Sequence, residues 1–134
     1  MRLPRAPAAV LALAALAATP AMAASWSCSP DTKHVCSAGQ CAAEPPEAFR
    51  HAESFSFDSA GPTLGACLWT DCHEGAAHLV QASGPIIASG RLPGRAGNPV
   101  DLTIAIDDDG RFTAVWQLSG DGATISGGRC TAGD

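Results

Sequence analysis

The stretch "PVDLTIAIDDDGRFTAVWQL", residues 99–118, has the pattern of two β-strands joined by a tight turn. If Asp107 faces Arg111, the three residues between them form the turn, and Gly110 supplies the left-handed backbone position that such a turn requires. This register places apolar residues opposite one another on one face: Ile106 with Phe112, Ile104 with Ala114, Leu102 with Trp116 and Val100 with Leu118. A shift of one residue would turn this apolar set towards water, so the sequence predicts the hairpin in this register.

The three aspartates of the turn also raise the question of a calcium site. An EF-hand loop needs acidic residues at alternate positions, a glycine at position six and a glutamate at position twelve. The run Asp107–Asp109, followed by Gly110, does not follow that spacing. It therefore predicts a turn with charged side chains in solvent rather than a metal site.

Outward from the hairpin, residues 55–134 consist of short apolar and β-branched runs separated by turn residues, which is typical of antiparallel strands. Residues 90–99 are expected to form a loop, and a final strand ends at Cys130. Cys67 and Trp69 share one strand face, where the tryptophan is expected to pack on the cystine. The fold class predicted is all-β, a small antiparallel meander closed as a barrel or a sandwich. Alternation places further core residues on single strand faces: Phe55, Phe57, Leu64, Ala66 and Leu68.

Residues 24–54 differ from the rest of the chain in composition. They hold three cysteines and three prolines, Pro30, Pro45 and Pro46, with little periodicity, and two adjacent prolines do not continue a helix. The sequence therefore predicts an irregular, disulfide-stapled N-terminal arm attached to the β-domain.

Residues 1–23 have the order of segments found in secretory signal peptides. Arg2 and Arg5 precede an apolar run that is shorter than the roughly 20 residues needed to span a bilayer. A small-residue site ends at Ala23. We therefore expect cleavage after Ala23, no membrane span in the mature chain, and delivery to a bacterial periplasm or to the external medium.

The charge of the chain is acidic, with a formal net charge of −5 that becomes −7 if Arg2 and Arg5 are removed. A few scattered basic residues give no electrostatic footprint for nucleic acid or anionic lipid. The expected partner is therefore a protein or an envelope component of unspecified identity, and the sequence leaves the oligomeric state open.

All six cysteines lie beyond residue 23, and an even number in a small exported domain predicts a disulfide framework. Residues five apart on an extended strand are about 16 Å apart, whereas the Cα atoms of a cystine are about 5–6 Å apart. Each C-x-x-x-x-C pair therefore needs a turn, and "CSAGQC" and "WTDC" can supply one. The favoured set is Cys36–Cys41, Cys67–Cys72 and Cys28–Cys130. Cys28–Cys41 or Cys28–Cys36, with the other arm cysteine bonded to Cys130, remains an alternative.

The stretch "CLWTDCH", residues 67–73, also permits an electron-transfer function. Its C-x-x-x-x-C-H spacing resembles a rare haem-attachment variant, with His73 as the axial ligand, and Cys67, Cys72, His73 and His78 include the ligand types of a zinc site. The surrounding strand pattern and the exporting leader favour a disulfide, so no cofactor is expected. His73 and His78 are then expected to be surface residues.

Signatures of catalysis are missing from the sequence, which has no G-x-S-x-G, H-E-x-x-H or phosphate-binding loop. An enzyme is therefore not expected, although a hydrolase-like or inhibitor-like site on residues 70–76 and 90–99 stays an alternative. Among the tryptophans, Trp116 is expected in the core, and Trp26 either packs over a cystine or binds a ligand.

The combination of "WSC" near residue 26, "CSAGQC", "CLWTDC" and the late "GGRC" resembles a group of small, uncharacterised, cysteine-rich secreted proteins of proteobacteria. These motifs are cysteines and glycines, so the resemblance implies a fold type and no activity. In size, β content and a cysteine near the C-terminus, the chain is also similar to periplasmic inhibitors of c-type lysozyme. That second resemblance implies an inhibitor of lysozyme as an alternative to an unspecified, non-catalytic binding module.

Overall fold

The computed structural model describes residues 24–69, 71–81, 84–94, 97–118 and 122–133, so the expected leader, residues 1–23, lies outside the described residues. The described residues form one antiparallel sheet of ten strands, and their only helix is a 3₁₀ turn at Pro46–Ala48. The all-β class is therefore confirmed. The strands are β1 Ser25–Ser37, β2 Gln40–Ala43, β3 Glu53–Asp58, β4 Thr63–Leu68, β5 Asp71–Ala76, β6 His78–Gln81, β7 Ile86–Leu92, β8 Val100–Ile106, β9 Arg111–Leu118 and β10 Ala123–Gly133.

The strands follow the order β5-β4-β3-β1-β10-β9-β8-β7-β6, and β2 pairs with β1 beside this path. Two meanders make up the sheet, β3 to β5 and β6 to β10, because consecutive strands within each of them pair as neighbours. Strand β1 joins the two meanders by pairing with β3 on one side and β10 on the other. The expected antiparallel meander is confirmed within β3–β5 and within β6–β10, and β1 lies between these two parts of the sheet.

The edges of the sheet, β5 and β6, are separated in sequence by Ala77 alone. The chain pairs with β4 up to Ala76 and with β7 from His78 onwards, so the sheet curls until its two edges meet at this corner. A Cβ added at Gly90 of β7 would lie only 2.7 Å from the carbonyl oxygen of Ala76. Edge strand β5 thus packs against β7 without pairing with it, so the sheet is open in its hydrogen bonds, whereas the sequence suggested full closure as a barrel or a sandwich.

The core lies on the inner face of the curled sheet. The β8–β9 ladder has the register predicted from sequence, from Val100 opposite Leu118 to Ile106 opposite Phe112, and Gly110 has a φ of +79°. Leu118, at the end of β9, is partly exposed. The alternating core residues predicted in β3 and β4 are all buried: Phe55, Phe57, Leu64, Ala66 and Leu68.

The N-terminal segment, residues 24–54, is stapled by disulfides as predicted, but it is not an irregular arm. It supplies the longest strand of the sheet, β1, and the short strand β2. A register shift between Pro30 and Thr32 breaks the alternation of buried residues along β1. A bulge of this kind accommodates a proline and hides the period of two, which explains why the sequence pattern looked irregular.

Three disulfides connect the described strands, Cys28–Cys130, Cys36–Cys41 and Cys67–Cys72, which are the pairs favoured from sequence. In every pair the two cysteines lie directly opposite each other in an antiparallel ladder. The first pair lies in the core and joins β1 to β10, whereas the other two each close a hairpin.

Candidate functional site

Two hairpins of the molecule have the same disulfide-closed design. In each, the cysteines are opposite each other, one further residue pair follows, and a two-residue turn forms the tip. The turn of the first hairpin is Ala38-Gly39, and the turn of the second begins at Trp69. A two-residue turn requires positive φ at its first position, which usually selects glycine, asparagine or aspartate.

Trp69 therefore occupies a backbone position that suits a much smaller residue. Its φ is +42°, close to the +51° of Ala38 in the matching hairpin. A bulky residue with positive φ is a conformational outlier, and the left-handed region is disfavoured by about 1–2 kcal/mol for a residue with a Cβ. The backbone of the tip is held by the cystine and by a hydrogen bond from the Trp69 N–H to the carbonyl oxygen of Ala52, 3.2 Å away.

The indole of Trp69 projects into solvent, with 68% of the residue exposed. The sequence interpretation, in which Trp69 packs on its cystine, is wrong, because β4 ends at Leu68 and Trp69 belongs to the turn. The other tryptophans do pack. Trp116 is buried as expected, and Trp26 is partly buried against the core. Trp69 is thus an aromatic side chain presented to solvent on a cross-linked, hydrogen-bonded tip.

A buried group of charged side chains lies close to the same end of the sheet. The Lys33 ammonium on β1 contacts the carboxylate of Glu53 on β3, with Nζ 2.5 Å from Oε1. The side chains of Lys33 and Glu53 are 7% and 0% exposed. Glu44, which is 37% exposed, places its Oε2 3.1 Å from the same Nζ.

Aromatic rings border this group of charges. The Lys33 Nζ lies 5.5 Å from the ring centroid of Trp116 and 6.0 Å from that of Phe49, which is fully buried. The Trp116 indole N–H donates to the hydroxyl of Ser126 at 3.1 Å. Glu53 Oε2, in contrast, is buried and has no hydrogen-bond partner among the described residues. No sequence pattern predicted this group, and its one visible signal in the sequence is that Lys33 is the only lysine of the chain.

His73 is buried, 4% exposed, which corrects the prediction that it is a surface residue. It lies opposite Ala66, one position beyond the Cys67–Cys72 pair, so its side chain points into the core while Cys72 faces outwards. His78 is exposed, as expected. The inward orientation of His73 follows from the Cys67–Cys72 pair, because neighbouring residues of a strand face opposite sides of the sheet and Cys72 faces outwards.

The haem or metal alternative requires Cys67, Cys72 and His73 to meet at one place. The structure does not bring them together, since the two sulfurs are bonded to each other and the imidazole lies on the opposite face of β5. Within the described part of the chain, no group of three histidine, cysteine, aspartate or glutamate side chains is arranged to hold a metal ion.

The proposed loop site on residues 70–76 and 90–99 also changes in the structure. Residues 71–76 form strand β5, whereas in the second segment strand β7 ends at Leu92 and the described residues between Leu92 and Val100 are loop, as predicted. They approach each other where Gly94 lies against His73, and a Cβ added at Gly94 would be 2.5 Å from the imidazole Cε1. At this contact Gly94 and His73 pack directly against each other.

No family model, curated protein or solved structure matches the chain. The two resemblances drawn from the sequence therefore stay predictions. The described residues contain no helix that is long and apolar enough to cross a membrane. Three disulfides, with every described cysteine bonded, indicate an oxidising compartment outside the cytoplasm.

Proposed function

We propose that the protein is a non-catalytic binding module of the periplasm or the external medium, and that it holds its partner through Trp69. One observation carries this proposal: a tryptophan 68% exposed at a left-handed position on a disulfide-closed tip. The partner is a protein or another component of the cell envelope.

A tryptophan suits this role because it brings a large apolar surface and an indole N–H donor with few rotatable bonds. Residues that dominate binding energy in interfaces are enriched in tryptophan, and they act best when their scaffold is ordered before binding. The cystine directly behind the turn and the backbone hydrogen bond to Ala52 provide that order. The tip therefore loses little conformational entropy when it binds.

The backbone at residue 69 supports the same proposal from a different side. The tip of the Cys36–Cys41 hairpin fills the equivalent position with alanine and follows it with glycine, so this hairpin design does not need an aromatic residue. A tryptophan disfavours the turn and is not buried, so it adds little to the folded state. A role of Trp69 in binding is consistent both with its unfavourable backbone conformation and with the exposure of its side chain.

The compartment is part of the proposal. The disulfides indicate an oxidising environment, and the leader-like residues 1–23 favour export from a bacterial cell. Fractionation of a bacterium that expresses the full chain, followed by mass measurement of each fraction, would separate the periplasm from the medium. A product that begins at Ala24 is expected, and an uncleaved product in the cytoplasm would contradict export.

Binding is tested by substitution with a matched control. Val80 on β6 is as exposed as Trp69, 68%, but lies on the edge strand, so Val80→Ala controls for the loss of exposed apolar surface. A photo-reactive amino acid with an aromatic side chain, which keeps an aromatic ring at residue 69, or the same amino acid at residue 80, would report which surface contacts a partner in envelope extracts. We expect capture at residue 69, and affinity about 30-fold weaker in Trp69→Ala, as for an interface anchor worth about 2 kcal/mol.

A c-type lysozyme is the first named protein to test, because of the resemblance to lysozyme inhibitors. The double variant Ala38→Trp with Trp69→Ala moves the aromatic residue to the equivalent tip and tests its location. If Trp69→Ala binds as well as the unchanged protein while Val80→Ala does not, the tip is not the binding site. Equal binding by all variants would reject both surfaces.

A further inference from the structure

The only lysine of the chain is buried, while the other basic residues are arginines. Arginine is the usual partner for a buried carboxylate because its planar guanidinium forms two parallel hydrogen bonds. Lysine instead carries a compact amine that becomes a nucleophile when it loses a proton. The choice of lysine at position 33 therefore points to chemistry of the amine.

The surroundings of Lys33 bring this amine against a carboxyl group. Lys33 Nζ and Glu53 Oε1 are in direct hydrogen-bonded contact, 2.5 Å apart. The two residues lie on the adjacent strands β1 and β3, and the rings of Phe49 and Trp116 stand beside the amine. The β1–β3 ladder covers Ser25–Cys28 and Phe55–Asp58, so the two groups meet through their side chains just beyond the paired rows, where burial limits the access of water.

We propose that Lys33 and Glu53 condense to an amide that cross-links β1 to β3. A proton first passes from the Lys33 ammonium to the Glu53 carboxylate, which leaves a neutral amine and a neutral acid. The Nζ lone pair then attacks Glu53 Cδ and forms the Nζ–Cδ bond.

Glu44 completes the proton transfer in this step. Its Oε2, 3.1 Å from Nζ, accepts a proton from the attached nitrogen and returns it to the departing hydroxyl group. The Cδ–O bond breaks, and one water molecule leaves past Glu44, which is the partly exposed member of the group. The products are one amide and one water, so no oxidant, reductant or cofactor takes part.

The unpartnered oxygen of Glu53 supports the condensation. In the ion pair, Oε2 is buried without a hydrogen-bond partner in the described part of the chain, which is unfavourable for a charged acceptor. Condensation removes both formal charges and one of the two carboxylate oxygens. The buried group therefore needs fewer hydrogen bonds after the reaction than before it.

The experiment is an intact mass of the oxidised, folded protein, followed by a tryptic map after reduction and alkylation. The cross-link lowers the mass by one water beyond the loss of hydrogen at the three cystines. Trypsin cannot cleave after a condensed Lys33, so a branched peptide should appear in which the segment ending at Arg50 is joined to residues 51–91. An amine-reactive label on the unfolded chain should then modify the N-terminus alone, because the chain has no second lysine.

Two variants and a time course complete the test. Lys33→Met should restore the lost water, and Glu44→Gln should slow the appearance of the cross-link after refolding from denaturant. The unchanged protein decides the matter even if a variant does not fold. Full cleavage after Lys33 and full labelling of its amine in the folded and then denatured protein would overturn the proposal, as would a loss of water that persists in Lys33→Met.

Discussion

At residue 69 the side chain and the backbone have separate effects on the stability of the fold. The indole is mostly in solvent, so it contributes little packing energy, while its positive φ disfavours the folded turn. The two consequences can be measured separately, because alanine removes the indole and keeps the Cβ, whereas glycine removes both.

The first prediction concerns this backbone. We expect Trp69→Gly to be more stable than Trp69→Ala by about 1 kcal/mol in free energy of unfolding, since only glycine adopts the left-handed region without penalty. Denaturant unfolding of the two variants gives the difference. Ala38→Gly is the control, because Ala38 has the same position in the other hairpin and should show a gain of similar size. If Trp69→Gly is the less stable variant, the tip does not hold the left-handed conformation.

The burial of some single residues can be predicted from the sequence, and that of others cannot. His73 could be placed, because its neighbour Cys72 is opposite Cys67 and the strand period then turns His73 inwards. Lys33 could not, because the bulge after Pro30 reverses the alternation along β1. The ion pair with Glu53 also depends on the pairing of β1 with β3, and no local sequence pattern predicts that pairing.

At the scale of elements, the disulfide-closed hairpins are short rigid units within the sheet. Cys67 and Cys72 are five positions apart, so their bond closes a small loop. In the chain-entropy model a loop of this length contributes about 2 kcal/mol to stability. We expect the larger effect of this bond to be that it restricts the tip at Trp69 to one conformation.

The second prediction follows from this conformational restriction of the tip. Replacing Cys67 and Cys72 together by serine should lower the free energy of unfolding by about 2 kcal/mol and weaken partner binding, with Trp69 still present. The same replacement at Cys36 and Cys41 is the control, with a similar loss of stability and unchanged binding. Calorimetric unfolding and a binding titration of both variants make the comparison. Equal binding losses in the two variants would show that the tip at Trp69 has no special role.

The hairpin β8–β9 and the strand β1 show what sequence can reveal about elements. The hairpin was predicted residue by residue because its pairs are close in sequence and its turn contains Gly110. Strand β1 pairs with β10, whose residues lie about a hundred positions away, as Cys28 and Cys130 do with a separation of 102. Such pairing depends on the whole sheet, so the composition of residues 24–54 suggested an arm instead.

At the scale of the whole molecule, the Cys28–Cys130 bond lies in the core and joins β1 and β10, the first and last strands in chain order. A third prediction is that replacing both cysteines by alanine lowers the free energy of unfolding by about 4.7 kcal/mol, because this bond closes the longest loop. Denaturant unfolding of this variant, compared with the Cys36 and Cys41 variant, should show a loss about twice as large. Equal losses would mean that loop length does not determine the contribution.

A fourth prediction concerns the seam where the two edges of the sheet meet. Gly90→Ala should lower the free energy of unfolding by about 1–3 kcal/mol, because the new Cβ would stand 2.7 Å from the backbone oxygen of Ala76 and a backbone atom cannot rotate away. Ser89→Ala, at the neighbouring position, is the control for a change in β7 that adds no atoms. Unchanged stability in Gly90→Ala would mean that the seam is loose enough to open.

The pairing of Ser25 with Gly133 determines the orientation that the molecule takes when it is attached to a solid support. Both ends of the described chain lie side by side, in the same rows as Asp58 and Thr63, while β4 runs from Thr63 away towards the tip at Trp69. A tether attached at Ser25 or at Gly133 therefore leaves from the end of the sheet opposite the Trp69 tip. An immobilised or displayed copy attached at either of these two residues would present Trp69 away from the support, so a sensor surface or a fusion partner would leave the proposed binding tip accessible.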